Sequence, residues 1–181
     1  TSSFAHLAKL SSDLKSEYLQ ILAIASMQNV EELIRGRQGP CEVMTEIMED
    51  TRKEPRIRVE AARLITHIDL KGATTLHDKL VKILNNNSET ESLRFAVVQA
   101  LNNNVRKNLH MPQLLIRALE KVAKTDRDND VRCETLKALG YAGDSQSLKA
   151  LLDAEATITS NACRKALELS KARLIRRFGQ N

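Results

Sequence analysis

The chain has 181 residues, 42% of them hydrophobic and 28% charged, with 28 Lys and Arg against 23 Asp and Glu. These values exclude a disordered tail and a membrane bundle, and they leave room for one continuous core. Aromatic residues make up 3% with no Trp, so that core has to be built from Leu, Ile, Val and Ala, a composition that favours helices packed closely on helices.

Apolar positions recur at spacings of three and four almost throughout, and no segment alternates apolar with polar residues, so the expected class is all-α. Residues 1–36 read as helices over Thr1–Leu10, Asp13–Met27 and Val30–Arg35, with Phe4, Leu7, Tyr18, Leu19, Leu22 and Leu33 turned inward. The longest apolar run, Leu19 to Met27, is broken by Gln20 and Ser26 and falls short of the roughly 18 residues that span a bilayer, so no transmembrane segment is expected. The start at Thr1, without a Met, a basic leader or a signal-peptide core, reads as a trimmed or excised chain.

From residue 37 onward, amphipathic segments come in pairs. First helices are expected over Cys41–Glu49, Thr74–Leu84, Pro112–Lys124 and Ser145–Leu152, and second helices from Arg56, Leu93, Val131 and Ile158. Breakers and cap formers at 36–40, 51–55, 69–75, 85–88, 102–104, 125–130, 140–145 and 156–160 separate them. Thr90, Asp130, Ser145 and Thr159 are the expected N-caps. Pro40 and Pro112 suit first turns, and Gly140 and Gly143 suit left-handed helix ends.

The second helices superpose as a repeat: Arg56-Ile57-Arg58-Val59-Glu60, then Ser92-Leu93-Arg94-Phe95-Ala96, then Asp130-Val131-Arg132-Cys133-Glu134. A fourth copy is placed at Ile158, with Thr159 where the arginine would stand and Ala162, Cys163 and Ala166 inward. Arg58, Arg94 and Arg132 then stack one per repeat, each within reach of a turn carbonyl or an Asp of its neighbour.

The stretch Thr125-Asp126-Arg127-Asp128-Asn129-Asp130-Val131-Arg132 through Ala138-Leu139-Gly140-Tyr141-Ala142-Gly143-Asp144, then Leu148, Leu151 and Leu152, resembles the HEAT repeat family, in particular its short bacterial HEAT-like form. The resemblance extends loosely over residues 40 to 178 and is specific over 125–152. It implies a right-handed α–α superhelix, a HEAT-like solenoid of about four helical hairpins. Residues 1–36 would form an N-terminal helical cap continuous with repeats over 37–181, shielding the open end of the stack.

Catalytic signatures are missing. His6, His67, His77 and His110 are scattered, with no HExxH or HxH, and each reads as a surface or helix-end residue. There is no Gly-rich phosphate loop and no GxSxG. The acidic group Asp126, Asp128 and Asp130 lacks the glycine and closing Glu of a calcium loop and reads as a turn, and Glu46, Glu49 and Asp50 read as a helix end. No enzyme activity, cofactor or metal is therefore expected. Cys41, Cys133 and Cys163 are odd in number and without CxxC spacing, so they read as reduced, buried thiols of a cytoplasmic protein.

Charge is unevenly placed. Residues 164–181 hold Arg164, Lys165, Lys171, Arg173, Arg176 and Arg177 against Glu168, so this segment carries the whole formal +5 and the first 163 residues are neutral. On a helical wheel Leu167, Leu174 and Phe178 share an apolar side with Ile175 at its edge, opposite Lys165, Arg173, Arg176 and Arg177.

The expected function is a non-catalytic protein-interaction scaffold whose second helices line one face, with Glu60, Arg63, Gln99, Glu134 and Lys137 as contact residues for a protein or peptide. The alternative is a nucleic-acid or acidic-partner site at Lys165, Arg173, Arg176 and Arg177, gripping phosphates without reading bases. A third option, drawn from the resemblance, is an accessory or lyase-like subunit acting on a partner protein.

Overall fold

Helix punctuation sets the element boundaries. In the computed structural model the described residues are 39–67, 70, 73–107 and 110–179, with side-chain surroundings from Met44 onward. The 1–36 cap and His6 lie outside them, and the readings for the Cys41 and His67 side chains lie outside the described side chains. Among these residues the chain forms α1 (Gly39–Glu49), α2 (Pro55–Leu64, extended by a 3₁₀ turn Ile65–His67), α3 (Thr74–Asn85), α4 (Glu91–Arg106), α5 (Gln113–Thr125), α6 (Asn129–Ala142), α7 (Ser145–Glu155) and α8 (Asn161–Phe178), with no strand.

Pro55 opens α2, where its missing N–H would have had no intrahelical partner. Thr90 caps α4 by accepting from Leu93 N at 3.4 Å, as expected. The other caps fall one or two residues from the expected positions. In the run of aspartates, Asp126 is drawn inward by Arg94 and Asp130 lies inside the first turn, so Asp128 caps α6 through Val131 N at 2.9 Å. Asp144, not Ser145, caps α7 in a reciprocal box with Ser147. Ser160, not Thr159, stands at the start of α8.

Consecutive helices pack as pairs, and the pairs pack in order. The first members α1, α3, α5 and α7 lie side by side in one layer, and the second members α2, α4, α6 and α8 in another. The buried side chains between them form one continuous cluster that includes Met48, Ile57, Leu80, Leu93, Leu101, Leu115, Leu119, Leu136 and Leu139.

Register in the second layer is regular. Ile57, Leu93 and Val131 are each the third residue of their helix and are buried. The third residue of α8 is Cys163, so the fourth copy is shifted from the expected one: Ile158 lies in the connection before α8, Ala162 is exposed, and Arg164, not Thr159, stands where the other copies have their arginine. The shift was hidden because the last repeat is shorter and its aliphatic is replaced by a cysteine.

Three further expectations give way to packing. Asn102–Asn104, read as a breaker, lies inside α4, because Asn102 donates to Glu134 at 2.5 Å and Asn104 donates to the Ile65 carbonyl at 2.9 Å. Gly140 lies within α6, and Gly143 ends it at φ −60°, so neither is left-handed. What requires glycine at 140 is proximity: a Cβ there would sit 2.5 Å from Ser170 Oγ and 2.9 Å from Ser170 Cα on α8. Finally, Cys133 and Cys163 are buried but joined as a disulfide with Cα atoms 4.6 Å apart, not reduced thiols. Their spacing of 30 residues carries no motif, and only the side-by-side docking of α6 and α8 brings them together.

Candidate functional site

The stacked arginines are structural. Arg58 Nε donates to the Met48 carbonyl at 2.7 Å, and its fork engages Glu89 at 2.9 and 2.6 Å. Arg94 engages Asp126 at 2.7 and 3.0 Å and also donates to the Glu89 carbonyl. Arg132 donates to the Ala123 carbonyl at 3.3 Å, the Thr157 carbonyl at 3.1 Å and Thr157 Oγ1 at 2.5 Å. Each arginine thus ties its own hairpin to the loop of the next, with its charge-assisted bonds spent inside the protein. Burial works to raise the Glu89 pKa, but the bonds from Arg58 and the Thr90 N–H win and hold it below the usual carboxylate range. The Asp126 carboxylate bonded to Arg94 raises the pKa of that guanidinium.

Ion pairs join neighbouring helices of the first layer. Glu49 on α1 pairs with Lys79 on α3 at 2.5 Å and with Lys82 at 3.2 Å, Arg117 on α5 engages Asp144 at the start of α7, and Lys124 pairs with Asp153 at 2.7 Å. The second layer is different. Arg63, Gln99 and Lys137 are each the ninth residue of α2, α4 and α6, so they form one row across consecutive helices. Arg63 pairs with Glu60 at 2.5 Å and Lys137 with Glu134 at 2.9 Å, in both cases three residues away on the same helix. Leu169, the ninth residue of α8, continues the row and is 59% exposed. Glu134 departs from the expectation of an exposed contact: it is buried, taken by Asn102 on one oxygen and Lys137 on the other.

The C-terminal helix is more committed than its wheel suggests. Leu167 and Leu174 are buried as expected, whereas Phe178 is 40% exposed and does not join the core. Arg177 donates to the carbonyls of Tyr141 (2.7 Å), Gly143 (2.9 Å) and Gly140 (3.3 Å), satisfying the last carbonyls of α6, and burial lowers its pKa. Arg173 lies over the Tyr141 ring, 4.2 Å from its centroid, and donates to the Tyr141 hydroxyl at 3.1 Å. Lys171 bridges Glu155 and Glu168. Arg164, Lys165 and Arg176 remain exposed and without an ion pair among the described residues. The four residues of the expected anion site are therefore not one patch: two are bound up with the end of α6 and two stand free.

One other expectation shifts. His77 is buried, and its Nε2 donates to the Leu70 carbonyl at 2.6 Å, so it braces the connection between α2 and α3. Arg106, which the sequence did not single out, meets Tyr141, with its guanidinium 6.0 Å from the ring centroid. The signal was available in the register, since Tyr141 and Arg173 are both the thirteenth residue of their helices. Among the described residues no group of three or more His, Cys, Asp or Glu is placed to hold a metal ion, and no helix is long and apolar enough to cross a membrane.

The sequence matches no known family model and shows no significant similarity to a curated protein.

Proposed function

We propose that this chain is a non-catalytic protein-interaction scaffold, a HEAT-like right-handed superhelix of helical hairpins that presents the outer surface of its second layer to a protein or peptide. The observation that carries the reading is the row Arg63, Gln99 and Lys137. It is in register on three helices of the second layer, with Arg63 and Lys137 paired within their own helices, whereas Glu49, Arg117 and Lys124 of the first layer form ion pairs between helices. A surface whose side chains do not hold the stack together is available to a partner at little cost to the fold. The arginine ladder and the two-layer order of helices support the HEAT-like part of the proposal. A cytoplasmic location loses the support drawn from free thiols, because two of the three cysteines are paired and disulfides are rare in reducing compartments.

A photo-crosslinking residue at Gln99 or Lys137 tests the proposal against one at Lys121 on the first layer. Crosslinks to a partner confined to the second-layer positions are expected. Crosslinks from Lys121 alone, or equally from both layers, would overturn it. The phosphate-binding alternative keeps Lys165 and Arg176 as exposed cations, and the accessory or lyase-like option gains no residue from the geometry.

A further inference from the structure

We infer that the corner of the second layer formed by Arg106, Tyr141 and Arg173 is a docking site for an acidic segment of a partner protein, a refinement that rests on the scaffold reading above. Arg106 lies in the last turn of α4, Tyr141 in the last turn of α6 and Arg173 near the end of α8, so three consecutive helices contribute to one spot. The two guanidinium carbons lie 6.0 and 4.2 Å from the same ring centroid, which brings the charges within about 10 Å of each other, one screening length at about 0.1 M salt.

Neither arginine has a carboxylate partner among the described residues. Glu134 within α6 and Asp144 just after it are already engaged, Glu134 by Lys137 and Asn102, and Asp144 by Arg117 and Gln113. Arg177, beside them, is occupied by the carbonyls at the end of α6 and adds positive charge without offering its fork. Arg58, Arg94 and Arg132 have their acceptors within the chain. Here the exposed Arg106 and the half-buried Arg173 flank one aromatic ring with no carboxylate to neutralise them.

The charge arrangement selects the partner. Guanidinium forks pair carboxylates bidentately, and the Tyr141 ring and hydroxyl hold the Arg173 fork in place, so two acidic side chains close together in a peptide complement the corner. A nucleic-acid backbone fits less well. Its closely spaced phosphates call for a continued basic row, but along this face Arg63 and Lys137 are already paired with Glu60 and Glu134. Arg173 also covers the Tyr141 ring, which removes that face as a stacking platform for a base.

Fluorescence anisotropy of a labelled oligoglutamate, read against a labelled DNA strand at about 50 and 200 mM salt, tests the site with wild type and with Arg106→Gln, Arg173→Gln, Arg106→Lys and Tyr141→Phe. Arg177 is left in place because it caps α6. The expected result is oligoglutamate binding weakened about tenfold by either Gln variant, partly retained in Arg106→Lys, and reduced in Tyr141→Phe, with the helical spectrum unchanged. Absence of oligoglutamate binding to wild type at low salt overturns the inference, as does binding indifferent to Arg106 and Arg173, or DNA binding that the same variants weaken equally. Crosslinking from Gln99 alongside any of these failures would leave the scaffold reading standing while removing this site, and loss of both would remove the two together.

Discussion

At the scale of single residues, the arginine ladder makes the strongest stability predictions. The Arg94 and Asp126 side chains are 7% and 3% exposed, so Arg94→Ala leaves a buried carboxylate without its partner and costs about 3–5 kcal/mol, measurable by urea denaturation. Replacing both by apolar residues, Arg94→Met with Asp126→Leu, recovers most of that loss, because the penalty lies in the orphaned charge and not in the absence of the pair. Glu89 gives the pH dependence. Its folded pKa is depressed, so its contribution is present above the unfolded carboxylate range and is lost as pH falls through the lower folded value. A melting-temperature profile should therefore fall more steeply in acid for wild type than for Glu89→Gln, and parallel profiles would contradict the assignment.

At the scale of elements, the crossing of α6 on α8 is the tightest in the second layer. Leu136 is fully buried, and Leu136→Ala is expected to cost about 2–5 kcal/mol. Gly140→Ala places a methyl group against both the side chain and the backbone of Ser170, and the helices have to separate at a cost of about 1–3 kcal/mol. Ser170 itself is buried with no partner for its hydroxyl among the described residues, so Ser170→Ala should be neutral or stabilising in the same denaturation experiment. The outer side of α8 differs in kind. By register, Lys165 and Glu168 stand where α6 has Cys133 and Leu136, replacing contact positions by charges, and Arg164 is a ladder arginine facing solvent. The same helix also leaves Leu169, Ile175 and Phe178 exposed, so its outer side mixes charged and apolar side chains.

At the scale of the molecule, the Cys133–Cys163 bond links the last two hairpins across 30 residues. Closing a loop of that length constrains the unfolded chain by about 3–4 kcal/mol, so reduction should lower the denaturation midpoint, with the loss reproduced by Cys133→Ser. The fold should survive reduction, since Cys163 Sγ lies 3.2 Å from the Asn129 carbonyl, an acceptor already in place for the thiol. Intact mass with and without reductant checks the bond itself, and a chain that reacts with a thiol reagent at all three cysteines before reduction would refute it.

Helicity, the pairing of helices, the first three repeat positions and the ladder role of Arg58, Arg94 and Arg132 were legible in the sequence, because amphipathic period and cap chemistry act over a few residues and leave their mark there. Contacts between repeats were not. Asn102–Asn104 read as a break until Glu134 and the Ile65 carbonyl supplied partners, Gly140 read as a helix end until Ser170 arrived beside it, and Cys133 and Cys163 read as separate thiols. The basic helix was visible as a charge excess, but its division into bound and free arginines depends on where the end of α6 falls against α8. Local physics therefore determined the elements, and the register between neighbouring helices, a property of no single segment, decided which polar side chains hold the fold and which remain for a partner.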